Sequence, residues 1–245
     1  PGYAIMSSGT WSLMGLELKE SNCGTDALEA GFSNEIGYGG SVRFLKNICG
    51  LWLIEECRRQ WAREGVDMDY EEIVRLAEEA EPMRSLFDPD DPRFVLPGDM
   101  TSRISEYCTE TGQPVPRGHG EIARSIYDSL AMKYRFVFEQ LKGFAEEPLK
   151  GLHVLGGGSR NALLNQQTAD ALGVSVLAGP AEATALGNVM SQMIAAGAIG
   201  SVEEGRSLIG KSFEVERFEP KTTDFYDDAF ERFEALVEMN SVVGA

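Results

Sequence analysis

Leu152-His153-Val154-Leu155-Gly156-Gly157-Gly158-Ser159-Arg160-Asn161 runs from an apolar stretch through three glycines into residues compatible with a helix. It reads as strand, bare turn, helix start. Without Cβ atoms the backbone of such a turn reaches positive φ and leaves room for a flat ligand, while unpaired N–H groups at the next helix N-terminus favour an anion. That is a nucleotide-site layout. Glycine turns between strands and helices also arise for structural reasons alone, so this stretch by itself leaves both readings open.

The surrounding sequence continues the same grammar. A helix over Asn161 to Leu172, a strand over Val174 to Leu177, a Gly179-Pro180 break and a helix over Ala183 to Ala196 follow the glycines. Strands alternating with helices argue for an α/β layered unit. Upstream, Glu121 to Phe144 carries Ile122, Ile126, Leu130, Tyr134, Val137, Phe138 and Leu141 on one helical face, and Pro148 ends it. Asp99 to Thr111 and Tyr70 to Glu79 are two further helices. Val42 to Arg63 places Leu45, Ile48, Cys49, Trp52, Leu53, Cys57 and Trp61 at three- and four-residue steps, which predicts a single amphipathic helix. At the start, Tyr3 to Met6 and Thr10 to Leu16 read as two strands of a hairpin joined by Ser7-Ser8-Gly9. Residues 20 to 42 read as an irregular excursion with strand pieces in Phe32 to Ile36, and Phe225 to Met239 as a final helix packed on the surface.

Composition narrows the function classes. At 245 residues and 43% hydrophobic the chain can bury a sizeable core, and no apolar run approaches the roughly eighteen residues of a membrane span. The formal charge of -17 repels nucleic acid and anionic membranes, so neither is an expected partner. A single nucleotide remains compatible, because local amides and a helix N-terminus hold phosphates at short range. Cys23, Cys49, Cys57 and Cys108 form no C-x-x-C pair, and His119 and His153 have no ligand spacing, so no metal site is predicted and a reducing cytoplasm fits. Asp88-Pro89-Asp90-Asp91-Pro92 lacks the glycine and terminal glutamate of a calcium loop and reads as a solvated turn. His153 reads as structural and His119 as exposed. The opening Pro1-Gly2-Tyr3-Ala4 has no basic region or initiator Met, and reads as cut from something longer and not as a signal peptide.

Two distant segments belong together: Ser7-Ser8-Gly9-Thr10-Trp11-Ser12-Leu13-Met14-Gly15 and Gly156-Gly157-Gly158-Ser159-Arg160-Asn161. With Glu182-Ala183-Thr184-Ala185-Leu186-Gly187-Asn188 opening the later helix, the chain resembles the C-terminal domain of the FGGY carbohydrate kinases. The resemblance spans nearly the whole chain, 1 to 245, as one domain. It implies an actin-like, ribonuclease H-like α/β fold, with the N-terminal lobe of a two-domain sugar kinase as the missing partner. Arg43-Phe44-Leu45-Lys46-Asn47-Ile48-Cys49-Gly50-Leu51-Trp52-Leu53-Ile54-Glu55-Glu56-Cys57 looks more like the rhamnulokinases than the glycerol, xylulose or gluconate kinases of that family.

The resemblance implies ATP and Mg²⁺ as cofactors and a ketose as substrate. It sets Thr10 against the ATP phosphates, where a small hydroxyl in a tight hairpin approaches an anion closely. It sets Gly157, flanked by Gly156 and Gly158, against the adenosine, and lets Asn161 either cap the next helix or touch the ribose. Asn47 matches an asparagine that reaches the sugar, where an amide both donates and accepts. Glu55 stands where the family pattern leads to a glutamine near the nucleotide. A carboxylate there repels phosphates unless it is protonated, faces Mg²⁺ or turns away, so an adenine contact, a ribose contact and no contact all stay open. Cys108 lacks the partner that some relatives carry where Ser125 stands, so a family disulfide is not expected. The general-base aspartate, in a His-Asp-Thr segment upstream of the hairpin, is not in this chain, and no catalytic residue is assigned within it. Phosphorylation of L-rhamnulose at O1 is the leading expectation. A kinase of another ketose such as L-fuculose, and a non-catalytic actin-like module binding nucleotide or protein, are the alternatives.

Overall fold

Alternation of burial along the first twenty residues builds a hairpin: in β1 (Tyr3–Ser8) Ala4, Met6 and Ser8 point inward, and in β2 (Trp11–Leu18) Ser12, Met14 and Leu16 do the same. The computed structural model describes residues 2–221 and 224–243. The order continues α1 (Thr25–Glu29), β3 (Ser33–Ile36), β4 (Val42–Cys49), α2 (Trp52–Arg63), α3 (Tyr70–Glu79), α4 (Met100–Glu110), α5 (Gly118–Lys142), β5 (Gly151–Leu155), α6 (Ala162–Leu172), β6 (Ser175–Ala178), α7 (Ala183–Ala195), α8 (Val202–Ser212), β7 (Glu216–Phe218) and α9 (Asp224–Val243). The strands form one seven-stranded mixed sheet in the order β3-β4-β2-β1-β5-β6-β7. β1 runs antiparallel to β2 and parallel to β5, and β5 runs parallel to β6, so the hairpin leads directly into a βαβ unit.

The core lies on the face that receives α5. This 25-residue helix packs on β2 and against α3, α6 and α9, and its middle turns are buried all round. Its Tyr134 hydroxyl bonds Ser12 Oγ at 2.7 Å and ties helix to sheet. The final helix packs on the surface as expected, burying Tyr226, Ala229, Phe230, Phe233 and Leu236 against this layer. On the opposite face Tyr3, Ile5, His153, Leu155 and Leu177 look across a cavity of about 730 Å³ toward α7 and α8.

The predicted helix over Val42 to Arg63 is in fact a strand followed by a helix. β4 takes residues 42 to 49, pairing with β2 from Trp11↔Cys49 to Leu18↔Val42, and Gly50 separates it from α2. Phe44, Lys46 and Ile48 alternate as well as recur at helical steps, and an eight-residue partner strand decided between the two periods. Asn47 and Cys49 therefore stand on a strand. α8 and β7 carry no strong local sequence signal, and residues 20 to 42 hold α1 as well as β3. Among the described residues no helix is long and apolar enough to cross a membrane.

Candidate functional site

Three turns meet at one end of the sheet. β1 and β5 run in parallel register from Tyr3↔Gly151 to Ser7↔Leu155, so the β1–β2 turn and the glycine turn after β5 emerge side by side. The β4–α2 turn closes the group from the other side: Leu51 N–H donates to the Gly9 carbonyl (2.9 Å) and Trp52 N–H to the Thr10 carbonyl (3.0 Å). α2 has no side-chain cap, so these two carbonyls satisfy N–H groups at its N-terminus. Gly50 permits the approach, since a Cβ there would stand 2.8 Å from Gly9 O, from Ser12 Oγ and from the Trp11 carbonyl carbon.

The three glycines have three different reasons to lack a side chain. Gly156 has φ 86° and a Cβ would press on the Ser8 carbonyl at 2.7 Å; at Gly158 a Cβ would collide with the buried Ser8 side chain. Both are demanded by the fold itself. Gly157 has no positive φ, is exposed, and a Cβ there would meet nothing within 4 Å. Nothing within the chain requires glycine at 157, and the space above it is open.

Thr10 is exposed at the tip of the hairpin, with its carbonyl used by α2. Asn161 caps α6, its Oδ1 accepting Leu164 N–H at 3.0 Å, and the Tyr127 hydroxyl reaches the same side chain. Asn47 lies exposed in a row across the sheet with Leu13, Ser7 and Leu155, on the face away from α5. Thr10, Gly157 and Asn47 thus share one end and one open side of the sheet.

Glu55 belongs to a different environment. Its carboxylate accepts from Tyr70 OH (2.5 Å), Arg58 Nε (3.2 Å) and Arg59 Nε (3.1 Å). Burial pushes its pKa up, but the bonds from Tyr70 and Arg58 outweigh that and hold it below the usual glutamate range. The group is a compensated anion on the flank of α2. Two other readings are corrected: His119 is half-buried with its ring 4.7 Å from that of Trp61, and the Asp88–Pro92 turn is not solvated. Asp88 and Asp91 are buried, and Lys133 from α5 reaches Asp88 at 2.8 Å and Asp90 at 3.0 Å. The run of aspartates gave no local sign of this, because its cation lies more than forty residues downstream. His153 is structural, with Nε2 2.6 Å from the Gly179 carbonyl. All four cysteines are free, and burial, with Asp90 and Asp88 nearby, pushes the Cys49 thiol up to about 12, which removes it as a nucleophile.

With this geometry in hand, comparison with known proteins gives a consistent answer. The model of the FGGY family of carbohydrate kinases, C-terminal domain, matches residues 4–196. Rhamnulokinase of Bacteroides thetaiotaomicron is 46% identical over 235 residues, covering 96% of this chain and 48% of that protein. Rhamnulokinase of Bacillus subtilis is 41% identical over 91% of this chain and 45% of its own length. The chain therefore spans about half the length of the curated relatives it matches. Among solved structures, a xylulose kinase from Rhodospirillum rubrum superposes with a TM-score of 0.69 at 16% identity, over 98% of this chain and 47% of that one. A Plasmodium falciparum glycerol kinase with ADP gives 0.67 at 17% identity, over 98% and 47%. At such identity these two speak for the actin-like fold alone.

Proposed function

Because the chain belongs to the FGGY family of carbohydrate kinases, as their C-terminal domain, we propose that it is the nucleotide-side half of an ATP-dependent kinase that phosphorylates L-rhamnulose at O1. The observation that carries this reading is Gly157, an exposed glycine that no backbone angle or neighbour requires, beside the Thr10 turn. A side chain there would fill the space that a purine or ribose needs.

Within this reading the chain binds and orients. Thr10 Oγ1 donates to a phosphate oxygen, a charge-assisted bond worth roughly 1.5 to 3 kcal/mol. The bare backbone at Gly156 to Gly158 forms the floor under the adenosine, and Asn161 sits at its edge while holding the start of α6. Asn47 offers an amide to the ketose from the same side of the sheet. Glu55, neutralised by Arg58, Arg59 and Tyr70, stays at the rim without repelling phosphates. Mg²⁺ is expected to arrive on the nucleotide phosphates, which supply part of its oxygen shell. ATP supplies the phosphoryl group, and the base that takes the O1 proton belongs to the other lobe, so chemistry requires both lobes to close over the cleft. The free thiols fit a reducing cytoplasm.

The test uses the full-length protein. With Mg-ATP it should phosphorylate L-rhamnulose, and faster than L-fuculose or L-xylulose. Gly157→Trp should abolish nucleotide binding by calorimetry while moving Tm by no more than the equivalent of about 0.5 kcal/mol, as for a surface substitution. Full activity in Gly157→Trp would remove the glycine turn as the nucleotide floor, and no transfer to any ketose by the wild type would remove the kinase reading.

A further inference from the structure

β4 outruns its outer neighbour. β3 pairs only with residues 42 to 45 of β4, from Ile36↔Val42 to Ser33↔Leu45, so beyond Leu45 the outer edge of β4 has no strand to satisfy it. At Cys49, the last residue of the strand, a side chain takes over: Asp90 Oδ1 accepts Cys49 N–H at 2.6 Å. The other oxygen of the same carboxylate lies 3.0 Å from Lys133 Nζ, which also reaches Asp88 Oδ1 at 2.8 Å. Asp88 in turn accepts Asp90 N–H (3.0 Å), which fixes the loop on the ammonium. Lys133 is 5% exposed and Asp88 7%, whereas Asp90 is 28% exposed.

The residue that Asp90 holds immediately precedes the β4–α2 turn, whose Leu51 and Trp52 N–H groups hold the carbonyls of Gly9 and Thr10. The same loop grips α2 a second time, Phe94 O accepting Trp52 Nε1–H at 3.1 Å. On the other side of the hairpin Tyr134, next to Lys133 on α5, bonds Ser12. Two successive residues of one buried helix therefore brace the hairpin from both sides. One acts directly, the other through a carboxylate and a strand end.

We propose that Asp90, anchored by Lys133, is a positioning residue for the kinase reaction: it fixes Cys49 and the β4–α2 turn, and thereby the orientation of the Thr10 hairpin toward the nucleotide phosphates. The inference rests on the nucleotide reading given above. Its physical basis is that a buried ammonium shared by two carboxylates resists displacement, because moving either anion leaves an uncompensated charge in the core. Burial alone would lower the Lys133 pKa, but Asp88 and Asp90 raise it above the ordinary lysine value, so the ammonium keeps its charge across the working pH range. Misplacement of a phosphate-binding group by about 1 Å costs up to roughly 100-fold in rate.

The experiment compares Asp90→Ala and Asp90→Asn in the full-length two-lobed protein. Asn keeps an oxygen for Cys49 N–H, and Ala does not. Asp90→Ala should lower kcat by about tenfold or more, with KM for L-rhamnulose within about threefold of wild type, and Asp90→Asn should recover most of that loss. Amide hydrogen exchange at Leu51 and Trp52 should accelerate in Asp90→Ala and return toward wild type in Asp90→Asn, a readout that does not depend on the substrate assignment. An unchanged kcat in Asp90→Ala, or equal exchange in all three proteins, would overturn the positioning role while leaving the nucleotide site intact. If the wild type transfers no phosphoryl group at all, the kinase reading fails instead, and the exchange data alone decide the brace.

Discussion

Individual residues in this domain are held by partners that local sequence does not reveal, and Asp128 is the clearest. It sits on α5 beneath 1% side-chain exposure, accepting from Arg124 Nε (2.9 Å), Met83 N–H (2.6 Å) and Gln167 Nε2. Met83, at φ 53°, is a non-glycine residue in the left-handed region, kept there by Asp128 on its N–H and by Arg232 Nη2 on its carbonyl. Burial drives the Asp128 pKa up to about 6 despite the opposing effect of Arg124 and the hydrogen bonds. The folded value thus exceeds the unfolded value near 4, so folding takes up a proton between these limits. The stabilising contribution of this group is complete below about pH 4 and is lost as pH rises through about 6. Denaturant unfolding of wild type and Asp128→Asn from pH 4 to pH 7 should show the stability difference shifting against the wild type by about 3 kcal/mol with rising pH. A difference that stays flat would mean that Asp128 is ionised throughout. Glu55 and Asp99 work in the opposite direction, since their pKa values are held below the usual range, and the wild-type profile alone is therefore not diagnostic.

At the scale of elements, capping and pairing decide where the site residues stand. Of the two roles its sequence position offers, cap and ribose contact, Asn161 fills the first, its Oδ1 accepting Leu164 N–H. Replacing it with Ala should lower stability by about 1 kcal/mol, within a range of roughly 0.5 to 2, measured as a shift in urea midpoint with an unchanged slope. Loss of nucleotide affinity beyond that expected from stability would add the ribose contact. β4 carries the opposite lesson. Its apolar spacing satisfied a helical template, and the strand won because β2 offered eight consecutive partners that no local window contains. That correction also moved Asn47 from a helix surface onto an open sheet face, in the same row as Ser7 and Leu13 of the hairpin.

The whole molecule has an uneven coat. The face under α5, α6 and α9 is closed, whereas none of the thirteen residues of α7 is buried, although the helix includes Leu186, Val189, Met190, Met193 and Ile194. Leu186, Met190, Met193 and Ile194 are half-buried toward the sheet and α8, and Val189 is exposed, so the helix keeps apolar surface that a larger neighbour would cover. As the relatives are about twice as long as this chain, the other lobe is the expected cover. The 245-residue chain alone should therefore bind a hydrophobic dye, and α7 amides should exchange fast. Both signals should fall when the upstream lobe is joined to it, and persistence in the joined protein would assign α7 to another partner. The site end of the sheet faces the same open side as Asn47 and Ser7, which fits a cleft completed from outside this chain.

Sequence by itself determined the βαβ grammar, the hairpin, the long α5 and the glycine turn, because each is written in contiguous residues: alternation, 3.6-residue spacing and bare glycines act over a few positions. It also carried the family, through separate motifs that are each contiguous in the chain. Only the tertiary structure decided that β4 is a strand, that Glu55 is neutralised on the flank of α2, that the aspartate loop is a buried brace and that Gly157 alone of its trio is free of structural duty. The strand pairing of β4 and the Lys133 brace depend on partners far away in the chain, whereas Glu55 is met by Arg58, Arg59 and Tyr70 nearby, whose side-chain geometry the sequence does not give. The energy of an unpaired strand edge, an uncompensated charge or a Cβ clash has no local signature, and it becomes fixed only when the distant groups meet.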